Sequence, residues 1–415
     1  MRLTLNRRTN RAATLLILAG LAGAGNAAGE DWFAPVFADT HGRFGGVMDD
    51  PEAHRVQVLV SEVVEGEDGQ ATLRRHGYRA DAEYFYPASS IKIAACVAAL
   101  LEVQRWQEEL GLDADVDTPL AFHGADGSVL EHDASNVVDG TVTVRHEIRK
   151  VCLVSDNPGF NRLFDLVGRD ALNQTMWDAG LPSFRLRHQL IGGGPGERRG
   201  DPETTPRVEL RTSGGGHTLP PRTAEIELPT QRPDDAYRFG EAYIAAGQRH
   251  DGPFDFTQRN EVALADLHDL LIMIARPDIG LGKPGLPLTD AHRALLVEAM
   301  SQDPLTSANP VYPSPPHEPG FAQSWPLAGV QRVVDGGAVT ETQKGGLAYG
   351  FVIENAYYVD ETTGRSFFLT ATIYHNPNAT FNDDTYGYDF SRQFLTDLGE
   401  AVARRLWGPA PDQHE

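Results

Sequence analysis

The chain has 415 residues, of which 41% are hydrophobic and 23% charged, and its formal net charge is −22. This is the composition of a globular protein with a sizeable core, and the length by itself allows two or three domains. So acidic a surface disfavours contact with phosphate backbones and anionic membranes, and we therefore expect no nucleic-acid partner.

Residues 1–28 have the pattern of an export signal. Four arginines among the first eleven residues precede the apolar stretch ATLLILAGLAGAG, and small residues follow around position 27. The apolar stretch is too short to cross a bilayer, and the small residues provide a cleavage site. We predict a periplasmic or secreted protein without membrane contact after cleavage; an uncleaved N-terminal anchor is the alternative.

The first half of the chain predicts a hairpin followed by helices. HRVQVLVSEVV (54–64) and ATLRRHGYR (71–79) are strand-like runs joined by the turn EGEDGQ. The stretch 89–106 has no clean polar face, which is typical of a buried central helix. Further helical patterns follow at about 141–153, 158–167 and 170–179.

The sequence pattern changes twice in the second half of the chain. Residues 185–258 are rich in Gly, Pro, Arg and Thr and predict an irregular insertion. Helical patterns return, and a second hairpin with alternating apolar residues follows before a closing helix. These elements are predicted at about 260–276, 289–302, 345–359 with 365–375, and 389–406.

The order of strands, helices, strands and a last helix predicts a mixed α/β fold of the α+β kind. Its antiparallel sheet would take strands from both ends of the chain, and a helical subdomain would be inserted at about 107–300. We expect residues 29–408 to form one domain and the protein to be a monomer.

The stretch YFYPASSIKIAACVAAL places Lys92 three residues after Ser89, at the start of an apolar helix. Side chains at this spacing share one helix face, and the helix N-terminus favours an oxyanion. A lysine in apolar surroundings can act as the base that activates a serine hydroxyl. The alternative is a helix-capping serine followed by a surface lysine.

Two further stretches carry matching chemistry. S-D-N occupies residues 155–157 and K-G-G occupies residues 344–346. Each has an ordinary structural explanation, since Asn157 with Pro158 could cap a helix and the K-G-G stretch could be a surface lysine with a glycine bulge. Their order after S-x-x-K makes chance a poor explanation for the set.

The three motifs together resemble those of the penicillin-recognising serine enzymes, the class A β-lactamases and the D,D-peptidases. YPASSIK and SDNPGFN are most similar to the class A branch. The resemblance extends over about residues 30–408, with 185–258 poorly matched, and implies the β-lactamase/transpeptidase-like fold.

Carried over by position, the resemblance implies four catalytic residues. Ser89 would be the acylating nucleophile and Lys92 its base or proton relay. Ser155 would pass a proton to the leaving nitrogen, and Lys344 would supply positive potential. The substrate would be bound by Asn157, by Gly345 and Gly346, and by the backbone N–H of Leu347, which would form an oxyanion hole with that of Ser89.

Two departures from the family pattern concern the chemistry. Gly345 lacks the hydroxyl that usually follows the lysine and helps bind the substrate carboxylate. The family's deacylating glutamate, about 36 residues beyond S-D-N in an E-x-x-x-N motif, has no counterpart in HQLIGGGPGERR. Glu197 is the nearest candidate base and Glu203 the next, although solvated loop charges explain both.

The chain has two cysteines, Cys96 and Cys152. They could form a disulfide or remain a pair of buried free thiols, and the sequence favours neither alternative. Cys96 resembles a cysteine of many class A enzymes, whose partner lies about one helical turn before position 152. No metal site is indicated, because His146-Glu147 is followed by Lys150 where a zinc helix needs histidine.

We therefore expect an exported serine acyl hydrolase that opens a β-lactam through a Ser89 acyl-enzyme, without a cofactor. A peptidase or transferase acting on peptidoglycan stems, or on another amide or ester, is the second hypothesis. The third is a non-catalytic wall-binding protein, and the five residues Ser89, Lys92, Ser155, Asn157 and Lys344 argue against it.

Overall fold

The computed structural model describes residues 26–38, 42, 44–190, 201–313, 317 and 323–408. Its α-helices are α1 (Asn26–Phe37), α2 (Gly45–Met48), α3 (Lys92–Glu108), α4 (Val144–Val154), α5 (Asn157–Val167), α6 (Arg169–Asp178), α7 (Leu264–Ala275), α8 (Asp290–Ser301), α9 (Trp325–Gln331) and α10 (Tyr388–Trp407). Its strands are β1 (Gln57–Glu65), β2 (Ala71–Tyr78), β3 (Leu120–His123), β4 (Val129–Leu130), β5 (Arg207–Thr212), β6 (Gly215–Leu219), β7 (Arg238–Phe239), β8 (Ala242–Ala245), β9 (Gln248–Asp251), β10 (Phe254–Asp255), β11 (Val339–Gln343), β12 (Gly346–Ala348), β13 (Phe351–Asp360), β14 (Ser366–Tyr374) and β15 (Thr380–Phe381).

The main sheet is antiparallel and has the order β11-β13-β14-β1-β2, with β12 pairing to β13 as well. Its central contact joins the two ends of the chain, since Val60 on β1 lies opposite Leu369 on β14. The predicted α+β fold, with one sheet built from both ends and helices inserted between them, is confirmed.

Helices cover both faces of this sheet. On one face, α1, α9 and α10 pack through apolar side chains such as Phe33, Leu327 and Phe394. On the other face lies the inserted region, whose centre is α3 with fully buried Ile93 and Val97. Because both faces are covered, β13 and β14 are buried along nearly their whole length, as their apolar sequences require.

The predicted strand 345–359 is wrong in one respect, because the chain reverses within it. Tyr349 and Gly350 both have positive φ angles, 57° and 82°. Two consecutive residues of this kind form the tight turn typical of hairpins, so β12 folds back onto β13 with Gly346 opposite Ile353. The turn places the K-G-G motif against the edge of β13.

The segment 185–258 is less irregular than its composition predicts. Strands β5 and β6 extend a small sheet that begins with β3 and β4, and β8 pairs with β15. Partners far away in the sequence stabilise these short strands, which local composition cannot reveal. Residues 191–200 lie outside the described residues.

The predicted signal peptide also lies outside the described residues, except that residues 26–28 begin α1. From there α1 places Phe33 and Val36 against the sheet. None of the helices described in the structure has the length and apolarity that a bilayer crossing demands.

Candidate active site

Ser89 lies in a turn of 3-10 helix, Ala88–Ile91, which precedes α3. The helix predicted to begin at Ser89 therefore begins at Lys92, because Ser90 N–H and Ser90 Oγ both bind the carbonyl of Pro87 and tighten the turn. Residues three apart also align in 3-10 geometry, so Ser89 and Lys92 keep a common side. Ser89 is half-buried, whereas its neighbours are buried.

Ala88, directly before Ser89, has a φ angle of 47°, in the left-handed region that an alanine rarely adopts. A conformation of this kind costs about 1–3 kcal/mol and persists only where surrounding structure enforces it. The strained turn fixes the backbone directly before Ser89. The sequence patterns did not predict this turn.

Lys92 connects α3 to the loop between α4 and α5. Its side chain is fully buried, and its Nζ donates to Ser155 Oγ at 3.2 Å and to Asn157 Oδ1 at 2.5 Å. A further hydrogen bond goes to the carbonyl oxygen of Ser155. The structure thus brings together the first two motifs.

Ser155 ends α4 in the left-handed conformation, with φ 58° and ψ 37°. The next helix is capped by Asp156, whose carboxylate accepts from Gly159 N–H at 2.6 Å. The alternative that made Asn157 the helix cap is therefore wrong. Because Asp156 caps the helix, the Asn157 side chain is available to Lys92.

Lys344 approaches Ser155 from the sheet. Its Nζ donates to Ser155 Oγ at 3.1 Å and to the Gly345 carbonyl at 2.8 Å, and its side chain is 4% exposed. Burial lowers the pKa of Lys344 to about 8, against smaller opposing effects of Cys152, Cys96 and Glu354. The hydroxyl of Ser155 therefore lies between the Nζ atoms of two lysines from different parts of the fold.

Strand β12 packs directly on the turn that carries Ser89. A Cβ atom at Gly346 would lie 2.4 Å from the backbone nitrogen of Ser89 and 2.6 Å from that of Ser90. No side chain fits in that space, so glycine is required for the approach. Leu347, the next residue, consequently lies beside Ser89 and is 49% exposed.

Cys96 and Cys152 are free, buried thiols in the structure. Burial raises the pKa of Cys96 well above its usual value, and a hydrogen bond with Cys152 adds to this. The two residues are therefore neighbours, and the structure has the free-thiol alternative rather than the disulfide.

Of the two predicted deacylation bases, the structure describes only Glu203, which does not join the site. Glu197 lies outside the described residues. Glu203 is exposed and forms an ion pair with Arg169, as a surface charge would. The chain before residue 191 is fixed, since Leu190 N–H donates to Asn161 Oδ1 at 2.9 Å and the Asn161 amide donates to Leu190 O at 2.8 Å.

Two carboxyl groups in the main sheet, buried Glu354 and half-buried Glu341, were missed from the sequence. Glu354 lies on β13, where burial raises its pKa to about 8. Glu341 lies on β11, bound to Ser324, and burial raises its pKa to about 7. The signal for Glu354 was the presence of an acid within the apolar run GFVIENAYYV. A strand that is covered on both faces offers no exposed position for a charged side chain.

Residues 55–213 match the sequence model of the beta-lactamase enzyme family. The matched stretch contains the S-x-x-K motif with Ser89 and Lys92 and the S-D-N motif with Ser155 and Asn157. The structure joins these two motifs through the hydrogen bonds of Lys92. The predicted resemblance to the penicillin-recognising serine hydrolases is confirmed. The match supports a β-lactamase-like serine hydrolase, and no curated protein sequence matches the chain.

Several solved structures resemble the chain at low sequence identity. A β-lactamase from Desulfarculus baarsii is 17% identical with a TM-score of 0.45, covering 89% of this chain and 97% of its own. One from Xanthomonas campestris is 16% identical with a TM-score of 0.46, at 88% and 97% coverage. One from Burkholderia ambifaria is 15% identical with a TM-score of 0.47, at 86% and 97% coverage.

Proposed function

We propose that the protein is an exported serine acyl hydrolase of the class A β-lactamase type, which opens a β-lactam amide through an acyl-enzyme on Ser89. The observation that carries the proposal is the position of Ser155 Oγ, 3.2 Å from Lys92 Nζ and 3.1 Å from Lys344 Nζ. A hydroxyl between two amines, one of which shares a helix side with the half-buried Ser89, is suited to proton relay.

In acylation, Ser89 Oγ attacks the carbonyl carbon and gives its proton to Lys92. The backbone N–H groups of Ser89 and Leu347 would stabilise the oxyanion, a contribution of about 3 kcal/mol for one such donor. The C–N bond then breaks as Ser155 gives its proton to the leaving nitrogen and takes the Ser89 proton from Lys92, which lies 3.2 Å away. Lys344 keeps positive potential at Ser155 throughout this transfer.

A peptidase or other amide or ester hydrolase with slow deacylation is the second candidate. It is favoured by Gly345, which lacks a side-chain hydroxyl, and by the engagement of Glu203 with Arg169 at the surface. In this case the acyl group would remain on Ser89 or pass to an amine acceptor, as expected for a peptidoglycan-like substrate.

The test is incubation of the protein, purified without residues 1–28, with a chromogenic cephalosporin and a fluorescent penicillin. Turnover and the mass of the Ser89 adduct are followed together. Rapid turnover supports the β-lactamase, and a stable adduct supports the second candidate. Absence of both turnover and adduct would contradict the β-lactamase and would favour a hydrolase of another amide or ester, or a non-catalytic wall-binding protein.

Two adjacent serines provide matched variants. Ser89→Ala should abolish the adduct and leave the unfolding temperature unchanged. Ser90→Ala removes a buried hydroxyl whose bond goes only to the carbonyl of Pro87 among the contacts described here. It should keep adduct formation while losing about 1 kcal/mol of stability.

N-terminal sequencing of the exported protein tests cleavage near residue 28.

A further inference from the structure

The two N–H groups proposed for the oxyanion hole come from separate segments, the turn of Ser89 and strand β12 with Leu347. Among the described strands, β12 pairs with β13 alone. Its Gly346 lies against the backbone of Ser89, which brings the two segments together at one point. Backbone pairing therefore fixes β12 to the sheet, and packing of side chains has to fix its distance from the turn.

Three aromatic rings meet beside these two segments. Tyr86 lies three residues before Ser89 and Tyr349 lies two residues after Leu347, and the two rings are 5.2 Å apart at an interplanar angle of 72°. Phe256 completes a triangle, with its ring 5.5 Å from that of Tyr349 and 6.0 Å from that of Tyr86. Tilted and edge-to-face pairs at such distances attract one another. The triangle thus joins the segments that carry the two donors.

Phe256 belongs to the segment 185–258 and is held in place by that segment. Its N–H donates to the carbonyl oxygen of Tyr237 at 3.0 Å, and its ring stacks on Phe239 at 4.9 Å. The ring of Phe254 lies 4.9 Å away on another side. The side chain of Phe256 is 0% exposed, so it cannot touch a substrate and acts only through its neighbours.

We propose that Phe256 is a positioning residue for the oxyanion hole, which holds Tyr86 against Tyr349 and thereby sets the spacing of the Ser89 and Leu347 N–H groups. The segment 185–258 then has a part in the reaction. The inference rests on the proposed function, because the spacing matters only when Ser89 is acylated. A displacement of about 1 Å at a reacting centre can lower the rate about 100-fold, even when its cause is remote.

The test uses two substrates that differ only at the oxyanion, a cephalosporin and its thiono analogue with sulfur in place of the β-lactam carbonyl oxygen. Sulfur is larger than oxygen and a weaker hydrogen-bond acceptor, so two well-spaced donors favour the oxygen substrate. The rate constant for Ser89 acylation is measured for each at pH 7 with the protein in excess. The ratio of the two, divided by the same ratio for hydroxide ion, is the oxygen preference. We expect the wild type to have a preference of at least about tenfold.

Phe256→Leu removes the ring and keeps a buried apolar side chain. Acylation by the cephalosporin should fall at least about tenfold and the oxygen preference at least about fivefold, because the donors lose their spacing. If Phe256→Leu does not fold, Phe256→Met, which is closer to phenylalanine in volume and also lacks the ring, gives the same comparison.

Phe368→Leu is the matched control. Phe368 is also 0% exposed and lies in the same hydrophobic core, but its contacts among the described rings are with Tyr357 at 4.3 Å and His268 at 6.0 Å. The substitution should lower the unfolding temperature about as much as Phe256→Leu and leave the oxygen preference within about twofold of the wild type. A general loss of packing would move the unfolding temperature in both variants but not the preference.

An unchanged preference in a folded Phe256→Leu, an equal fall in Phe368→Leu, or a wild type that acylates without any oxygen preference would overturn this inference. The proposed function would remain intact in each of these cases. Failure of the cephalosporin to acylate Ser89 in the wild type would instead contradict the proposed function, and the inference with it.

Discussion

Two buried lysines, Lys150 and Lys344, have opposite electrostatic surroundings. Lys150 Nζ lies 2.7 Å from Asp133, 3.4 Å from Glu147 and 3.3 Å from Asp156. Burial would lower the pKa of Lys150, but these carboxylates outweigh it and the pKa is raised.

Lys344 has a hydroxyl and a carbonyl as hydrogen-bond acceptors where Lys150 has carboxylates. Burial therefore prevails and lowers its pKa to about 8. With both lysines buried, the partner group decides whether a lysine is a permanent charge that stabilises the fold or a group whose charge changes near neutral pH. We expect Lys150 to determine stability and Lys344 to determine chemistry.

Lys150→Met should have the largest effect, on stability. It leaves the carboxylates around Lys150 with less positive charge, and loss of one partner of a buried ion pair costs about 3–5 kcal/mol. Denaturant unfolding measures the change. Arg74→Met is the matched control, since Arg74 is 60% exposed in its pair with Glu62 and should cost less than about 1 kcal/mol. Similar losses for the two variants would contradict the assignment.

Lys344→Met should leave stability unchanged or higher, because it removes a buried charge that is not matched by a paired carboxylate. Acylation of Ser89 should fall about 10²–10³-fold, the typical effect of losing one preorganised electrostatic group. Stopped-flow acylation together with denaturant unfolding measures both quantities. A large loss of stability with intact acylation would reverse the roles of the two lysines.

Lys344→Arg should have the smallest effect, a change in the pH profile. Lys344 is charged below its pKa of about 8 and neutral above it, so acylation by an uncharged ester should decline as the pH rises through 8. Arginine stays charged, so the decline should disappear up to about pH 10. The acylation rate is measured from pH 6 to 10, and an identical decline in both proteins would assign it to another group.

Local patterns in the sequence were sufficient for much of the fold. The hairpin 54–79 and the closing helix follow from periodicity in short windows, and the buried helix after residue 91 follows from an apolar run without a polar face. The motif residues were also identified from the sequence, because S-x-x-K, S-D-N and K-G-G are short and occur in a fixed order.

Features that depend on partners far apart in the chain were not predictable in this way. The short strands β5 and β8 are stabilised by pairing across long sequence separations, with β3 and β15 respectively. The same holds for the cap of α5. Asp156 and Asn157 are both good capping residues. In the structure Asp156 caps the helix, and the Asn157 side chain accepts a hydrogen bond from Lys92.

The sequence by itself determined which residues carry hydroxyl and amine groups and which elements they begin or end. Only the tertiary structure decided that Lys92 and Lys344, about 250 residues apart, share Ser155 Oγ, and that Glu354 fills the space left by Gly345. The physical reason is that burial and the partner of a charged group fix its pKa, and both are properties of the packed fold rather than of the local chain.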